Sequence, residues 1–218
     1  LTENMKQLYQ VHFPHLPILA TSGGIEKFYA TTSEPEPAMV YVGSLDPHKG
    51  VNSIVPLCQN LTVPFKVYVV GARNEEEKNK AEAFFAENSI SDQVEVHLWK
   101  SKQELNELLS RCRIGLLPLR DTFFNRHLTS PLKFFDYCAH GLTTVMTEFP
   151  CLKELAHITP GVFVNWQDPG GEAVAAIEGL LKSQDYSSHR HSIQRRSEPF
   201  LWQQRAKQHV EFFESLEN

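Results

Sequence analysis

The feature that most constrains the fold is a series of six short apolar runs, separated by stretches with helical periodicity. The runs lie at 39–43, 65–71, 94–99, 114–119, 142–147 and 162–164. Several of them are almost continuously hydrophobic, which is typical of strands buried on both faces of a sheet. The stretches between them, at 51–61, 74–88, 102–111 and 172–183, carry apolar residues at helical spacing. This alternation predicts a doubly wound, Rossmann-like parallel sheet of six strands with helices on both faces.

The two ends of the chain lie outside that alternation. Residues 1–37 predict a connection made of a short helix at 3–11, a short strand at 18–20 and a polar loop, "TTSEPEPA". Residues 38–184 form the predicted sheet domain, and 185–218 are predicted to be C-terminal helices.

The last helix is expected to begin near Ser197, which is a suitable N-cap, with Pro199 in its first turn. Its apolar stripe consists of Leu201, Trp202, Val210, Phe213 and Leu216.

The composition excludes several classes of protein. With 218 residues and 41% hydrophobic content, the chain can bury a substantial core, and its net charge of −5 gives no basic field for nucleic acid. The four cysteines are far apart and form no CxxC pair, which favours reduced, partly buried thiols in a reducing compartment. No apolar run reaches transmembrane length and no signal peptide is visible, so we expect a cytoplasmic protein. Because the chain begins with Leu1, we interpret it as preceded by further residues.

Ligands of doubly wound sheets bind at the carboxyl ends of the strands, so the loops there are the places to search. The first loop, "GSLDPHKG", contains Gly43 and Lys49, which suit an anion but also suit an ordinary tight turn with an exposed lysine. Gly71 ends the second strand and Arg73 follows it. The absence of GxGxxG and GxxxxGK[ST] argues against dinucleotide cofactors and P-loop hydrolysis.

The stretch "TSPLKFFDYCAHGLTTVMT" predicts a helix with Thr129 or Ser130 as N-cap, Pro131 at the first helical position and Gly141 at its C′ position. The free N–H groups at its start would form an anion site. Asp136, within this apolar helix, is either a solvated charge or a carboxylate with a binding partner.

Two further features leave alternatives open. Trp99, after the third strand, is suited to stacking on a base or to closing the edge of the core. The histidines lack the i,i+4 spacing of a metal array, which disfavours a metal site.

Taken in order, these segments resemble the donor-binding domain of GT-B retaining glycosyltransferases of family 4, also called group 1. "MVYVGSLDPHKGVNSIVPL" is similar to the family's first β-loop-α unit, and "FKVYVVGAR" to its second strand with the following glycine. "SPLKFFDYCAHGLTTVMT" resembles the form SP-K-x-x-E-Y-x-A-x-G-x-P-V-V. "FLWQQRAKQHVEFFESL" looks like the closing helix and "ILATSGGIEKFY" like the interdomain connection.

The resemblance implies a chain that is the donor-binding half of a glycosyltransferase in polysaccharide or lipopolysaccharide-type biosynthesis. Its partners would be a nucleotide-sugar donor and a missing N-terminal acceptor-binding half, which would also make any membrane contact. No metal or other cofactor is expected.

The resemblance also assigns residues. Lys49 is implied as the catalytic residue that contacts the donor diphosphate, Asp136 as the ribose ligand, and Trp99 as part of the base-pocket wall. The nucleotide-sugar-binding residues implied in this way are Gly43, Ser44, Lys49, Gly71, Arg73, Trp99, Thr129, Ser130, Pro131, Leu132, Lys133 and Asp136.

Two positions depart from the family pattern. Ser44 stands where an arginine usually pairs with the lysine, with Arg120 or Arg126 as candidate replacements, and Leu128 stands at an often acidic position. These departures keep two alternatives open: a catalytically inactive donor-like binding or assembly module, and another GT-B enzyme such as a sugar-nucleotide epimerase.

Overall fold

The computed structural model describes residues 2–30, 34–46 and 49–216. The predicted linker residues 31–33 and residues 47 and 48 of the first loop therefore lie outside the described residues. The elements in chain order are α1 (Glu3–His12), β1 (Ala38–Val42), α2 (Ile54–Asn60), β2 (Lys66–Ala72), α3 (Glu75–Glu87), β3 (Val94–Leu98), α4 (Lys102–Arg111), β4 (Ile114–Leu117), α5 (Leu132–Ala139), β5 (Thr143–Met146), α6 (Pro150–Ile158), β6 (Gly161–Phe163), α7 (Gly171–Lys182), α8 (Tyr186–Arg196) and α9 (Trp202–Leu216).

The strands form one six-stranded sheet in the order β3-β2-β1-β4-β5-β6, with every pair parallel. The six predicted strands are confirmed, and their bounds differ from the apolar runs by one or two residues. The order changes direction between β1 and β4, because the chain crosses from β3 over β2 and β1 to reach β4. That switch point is where loops diverge and leave a crevice.

The sheet separates two apolar cores. The odd-numbered side chains of β1, Met39 and Tyr41, pack in the core that contains α2, α3 and α7. The even-numbered ones, Val40 and Val42, pack in the core that contains α4, α5 and α6. All five residues of β1 are buried, because a central strand alternates its side chains between the two layers.

The start of α5 differs from the prediction. Pro131 is the N-cap in extended conformation (φ −71°, ψ 115°), so the helix begins at Leu132, and no side chain caps it. Ser130 therefore lies one residue too early to cap, and its Oγ accepts a hydrogen bond from the Gly23 N–H at 3.2 Å. The predicted end is confirmed, since Gly141 follows the helix with φ +67°.

The C-terminal region also differs. Ser197 ends α8 instead of capping the last helix, because its N–H and its Oγ both donate to the Ile193 carbonyl. A 3₁₀ turn over Glu198–Phe200 follows, and α9 begins only at Trp202. Helix α6 was not predicted. The predicted strand at 18–20 is absent from the described residues; Ile25 instead forms a single bridge with Leu201.

The four cysteines are free and buried, as expected. Among the described residues, no helix is long and apolar enough to cross a membrane.

Candidate functional site

Two glycines bring the carboxyl ends of β1 and β2 together at the edge of the sheet. Gly43 has φ +153° and Gly71 has φ +146°. A Cβ on Gly71 would overlap the carbonyl of Gly43, and the Gly43 N–H donates to the Val70 carbonyl at 2.8 Å. Because a side chain at either position would fill this space, the edge stays open for the first turn of α5.

Lys133 occupies that opening. A Cβ on Gly43 would overlap its ammonium group, which lies 5.0 Å from the centroid of the Tyr41 ring. Tyr41 is itself fixed, because its hydroxyl donates to the Ser44 carbonyl at 2.8 Å. The ammonium is therefore held by an aromatic face at the switch point of the sheet.

Lys49 adds a second positive charge at this point. Its side chain is exposed, and its backbone N–H donates to the Asp46 carbonyl at 2.8 Å. Burial, and secondarily the charge of Lys49, lower the pKa of Lys133 to about 8. An anion bound beside Lys133 would offset the burial and the neighbouring charge that disfavour its charged form.

The first turn of α5 lies beside the lysines. In the described part of the chain no side-chain hydrogen bond caps it, which leaves the positive end of the helix dipole open to a ligand. Thr129, Ser130 and Pro131 are half-buried, and the side chain of Leu132 is 70% exposed.

Asp136 lies one turn further along α5. Its side chain is exposed, yet desolvation by the surrounding protein raises the pKa of its carboxyl, and the charge of Lys102 partly opposes this. Lys102 is itself paired with Glu26 at 2.7 Å. Asp136 is thus a carboxylate that keeps contact with solvent and has no salt-bridge partner in the described part of the chain, as required of a group that binds a ligand hydroxyl.

Two other predicted site residues, Arg73 and Trp99, follow the neighbouring strands β2 and β3. Trp99 is 51% exposed, and its backbone N–H donates to the Ala72 carbonyl at 3.0 Å, so its ring is not part of the core. Arg73 is engaged elsewhere. Its guanidinium forms a two-point ion pair with Glu77 in the first turn of α3, with Nε 3.2 Å from Oε2 and Nη2 3.1 Å from Oε1. Its guanidinium would need to leave that pair to reach a phosphate.

The two arginines proposed as replacements at Ser44 have other contacts in the structure. Arg126 forms a two-point ion pair with Asp121. Arg120 lines a different cavity. Its Cγ would lie 3.5 Å from a Cβ added to Gly50, the residue that follows Lys49. Lys133, which belongs to the SP-K segment, is a cation whose pKa is lowered by burial and by the charge of Lys49.

Sequence reasoning missed Tyr41 and Lys102. Tyr41 looked like one more core residue of β1, although its position two residues before a strand-ending glycine places its hydroxyl at the site. Lys102 starts α4, and its proximity to Asp136 depends on a crossover that no local pattern shows. The described residues contain no group of three or more His, Cys, Asp or Glu side chains that could hold a metal ion.

The fold and its edge site place the chain in the class of Rossmann-like domains found in GT-B glycosyltransferases. The particular family is also defined: residues 36–183 match the sequence profile of glycosyl transferases group 1, so the chain belongs to that family. A search of curated protein sequences finds no match.

Solved structures of glycosyltransferases share the fold. Sucrose-phosphate synthase from Thermosynechococcus elongatus is 18% identical, with a TM-score of 0.73, and the match covers 99% of this chain and 57% of that one. WaaG, a glycosyltransferase of lipopolysaccharide biosynthesis, is 16% identical with a TM-score of 0.64, covering 90% and 56%. HepE from Anabaena, solved with UDP and glucose, is 13% identical with a TM-score of 0.63, covering 83% and 48%. The chain thus spans about half the length of these proteins.

Proposed function

We propose that the chain is the donor-binding half of a retaining glycosyltransferase. It would bind a nucleoside-diphosphate sugar, and the sugar would pass to a glycan or glycoconjugate acceptor held by a second, N-terminal half. The observation that carries this proposal is the pair of Lys49 and Lys133 beside the open start of α5.

The chemistry of sugar transfer fits this pair. When the bond between sugar and diphosphate breaks, negative charge grows on the departing diphosphate. Cations and helix N–H groups placed there stabilise that charge more strongly in the transition state than in the bound donor. Lys49 and Lys133 would share this role, so the leaving group needs no metal ion.

The rest of the crevice would hold the nucleoside. Asp136 would accept hydrogen bonds from the ribose hydroxyls, since an ionised carboxylate is an acceptor only. Trp99 would form the wall of the base pocket, because an exposed indole at a strand end can stack on a base.

Calorimetry with UDP, GDP and ADP tests the proposal. At least one of them should bind, and Lys49→Ala and Lys133→Ala should each weaken binding about 10- to 100-fold, the usual loss of a charge-assisted hydrogen bond. Asp136→Asn should weaken the nucleotide but not inorganic pyrophosphate, which lacks a ribose.

The matched controls are Lys207→Ala and Asp168→Asn, which change the same residue types at exposed positions away from the site. If all three site variants bind like their controls, the site is wrongly assigned. Turnover is a separate question: we expect transfer from a sugar-nucleotide panel only when both halves are present, whereas binding without transfer by the whole protein would identify a non-catalytic binding module.

A further inference from the structure

The side chain of Lys133 crosses the end of the sheet. Its helix, α5, packs in the layer that also contains α4 and α6. Tyr41, whose ring centroid lies 5.0 Å from the ammonium, belongs to the core on the other face. The crossing passes over Gly43, where an added Cβ would overlap the ammonium. A lysine of one layer is thereby held by an aromatic residue of the other.

Tyr41 also holds the turn that follows β1. Its side chain is buried, and its hydroxyl donates to the Ser44 carbonyl at 2.8 Å. The Ser44 Oγ accepts a hydrogen bond from the Asp46 N–H at 3.1 Å, a contact typical of serine in turns. The Asp46 carbonyl in turn accepts one from the Lys49 N–H at 2.8 Å. Three hydrogen bonds therefore connect the phenol to the backbone of Lys49.

The same turn is anchored in the core. Leu45, between Ser44 and Asp46, is buried in the cluster that contains Tyr41. Ser44, which stands where the family usually has an arginine, uses both its carbonyl and its hydroxyl inside the turn. Its contribution is therefore to the shape of the turn, and the positive charge comes from the lysines.

A phenol suits this place because it offers two different contacts. Its ring face attracts an ammonium, and its hydroxyl donates to a carbonyl. Phenylalanine would keep only the first contact, and leucine would keep neither. The charged groups around the ring are Lys133 from α5 and Lys49 and Asp46 from the turn. Burial, and then the charge of Asp46, raise the pKa of Tyr41, so the hydroxyl keeps the proton that it donates.

We propose that Tyr41 is a positioning residue for both cations of the site: its ring places the Lys133 ammonium, and its hydroxyl places the turn that carries Lys49. Both contacts exist without a ligand, so they would lower the entropic cost of binding an anion. The consequence for nucleotide binding rests on the proposed function, whereas the positioning itself does not.

A double-mutant cycle in UDP calorimetry tests the hydroxyl. Tyr41→Phe should weaken UDP binding about 3- to 10-fold, because a hydrogen bond that holds the turn is lost. In the Lys49→Ala background the same substitution should cause no further loss, since the turn then carries no lysine. The matched control is Tyr68→Phe, which removes a phenol hydroxyl that donates to Glu36 at 3.0 Å on the neighbouring strand. It should leave UDP affinity unchanged.

An NMR titration tests the ring without any nucleotide. The Cε carbon signal of Lys133, identified by its loss in Lys133→Arg, reports the pKa of the ammonium, which is about 8 in the unsubstituted chain. Tyr41→Phe should keep this pKa because the ring remains. Tyr41→Leu should lower it by up to about one pH unit, because the charged form loses its aromatic face. A residue that only fills the core would not produce this difference.

Two results overturn the proposal. One is an equal loss of UDP affinity from Tyr41→Phe with and without Lys49. The other is a pKa of Lys133 that is the same with tyrosine, phenylalanine and leucine at this position. If Tyr41→Leu does not fold, the cycle decides alone, because Tyr41→Phe preserves the buried ring. If no chain binds UDP but the variants still differ in the pKa of Lys133, the proposed function is wrong and the positioning by the ring stands.

Discussion

Lys133 is the residue on which the candidate site depends most directly. It is held over Tyr41 at the opening left by Gly43, and its pKa of about 8 lies close to physiological pH. Burial also raises the pKa of Tyr41 far above that range, so the phenol stays neutral. A bound diphosphate would favour the charged form of Lys133, so nucleotide binding should be coupled to protonation.

The predicted result is a fall in UDP affinity as the pH rises above about 8, approaching tenfold per pH unit. Binding of the ligand would then take up a proton, which calorimetry in buffers of different ionisation enthalpy detects. Lys133→Arg should remove this dependence, because a guanidinium stays charged throughout the range. If the UDP affinity of the unsubstituted chain does not change with pH, Lys133 does not contact the ligand.

The pH dependence of folding stability should have the opposite sign to that of UDP affinity, because Lys133 makes the free energy of unfolding rise with pH. Its ordinary pKa of 10.5 is lowered to about 8 in the folded chain, so the unfolded chain binds more protons between these values. The contribution of Lys133 to the free energy of unfolding therefore rises with pH across this window. Comparing urea unfolding of the chain and Lys133→Met at both ends of the window isolates that contribution.

Gly71 provides a second test at the residue scale. Its φ of +146° and the overlap between an added Cβ and the Gly43 carbonyl predict that Gly71→Ala lowers the free energy of unfolding by about 2 kcal/mol or more. Gly179→Ala is the control, since Gly179 lies inside α7 with open space around it. That substitution should stabilise the chain by about 0.5–1 kcal/mol. If the two substitutions change the free energy of urea unfolding equally, the close approach of Gly71 to the Gly43 carbonyl does not constrain this edge of the sheet.

At the scale of elements, two buried arginines hold the C-terminal ends of helices in place. Arg113, which precedes β4, donates to the carbonyls of Leu181 at 2.8 Å and Ser183 at 2.7 Å, at the C-terminal end of α7. Its guanidinium thereby satisfies acceptors that the helix leaves unpaired. Arg190 of α8 performs the same role for the end of α4, through the carbonyls of Ser110 and Cys112.

Arg113→Lys should lower the free energy of unfolding by about 2–4 kcal/mol, because an ammonium cannot replace the fork that reaches several carbonyls. Arg111→Lys is the matched control two residues earlier, since the Arg111 guanidinium forms an exposed pair with Glu36 and lies 5.9 Å from the centroid of the Tyr68 ring. Its effect should stay within about 1 kcal/mol. Similar losses in the two variants would contradict the role given to Arg113.

The same scale shows what a sequence can and cannot predict here. The strands were predictable because a strand buried on both faces is apolar at almost every position, as β1 is. The cap of α5 was not, because Ser130 is a good N-cap in isolation but Pro131 adopts the extended cap conformation itself. Lys133 was among the residues that the resemblance implied, but its position over the Tyr41 ring was not predictable, since Tyr41 belongs to another element. Helix α6 was missed although its sequence carries a signal, since Pro150 begins it and Cys151, Leu152 and Leu155 form one buried face.

For the whole molecule, the distribution of buried surface is uneven. Helices α5 and α7 bury apolar residues in the two cores. In α9, by contrast, the buried residue among those described is a charged one, Arg205. The predicted apolar stripe of α9 is mostly exposed, including Trp202, Val210 and Phe213. Apolar side chains of this number on one helix are typical of a surface that another domain covers.

The uneven burial leads to a prediction for amide hydrogen exchange. Because α9 is held mainly at its start, by the Trp202 N–H to Ile25 carbonyl bond of 3.0 Å and by Arg205, amides after Lys207 should exchange by local opening. Amides of α5 beyond its open first turn should exchange only with global unfolding, since five of its eight residues are buried. In a protein that also contains the proposed N-terminal half, the α9 amides should become protected if that half covers the stripe.

Replacing Val210 and Phe213 by serine should reverse this gain in protection. The same substitutions in the isolated chain should leave α5 exchange unchanged, because they lie outside both cores. Protection of α9 equal to that of α5 in the isolated chain would mean that the stripe needs no partner, and the inferred position of the second half would then be wrong.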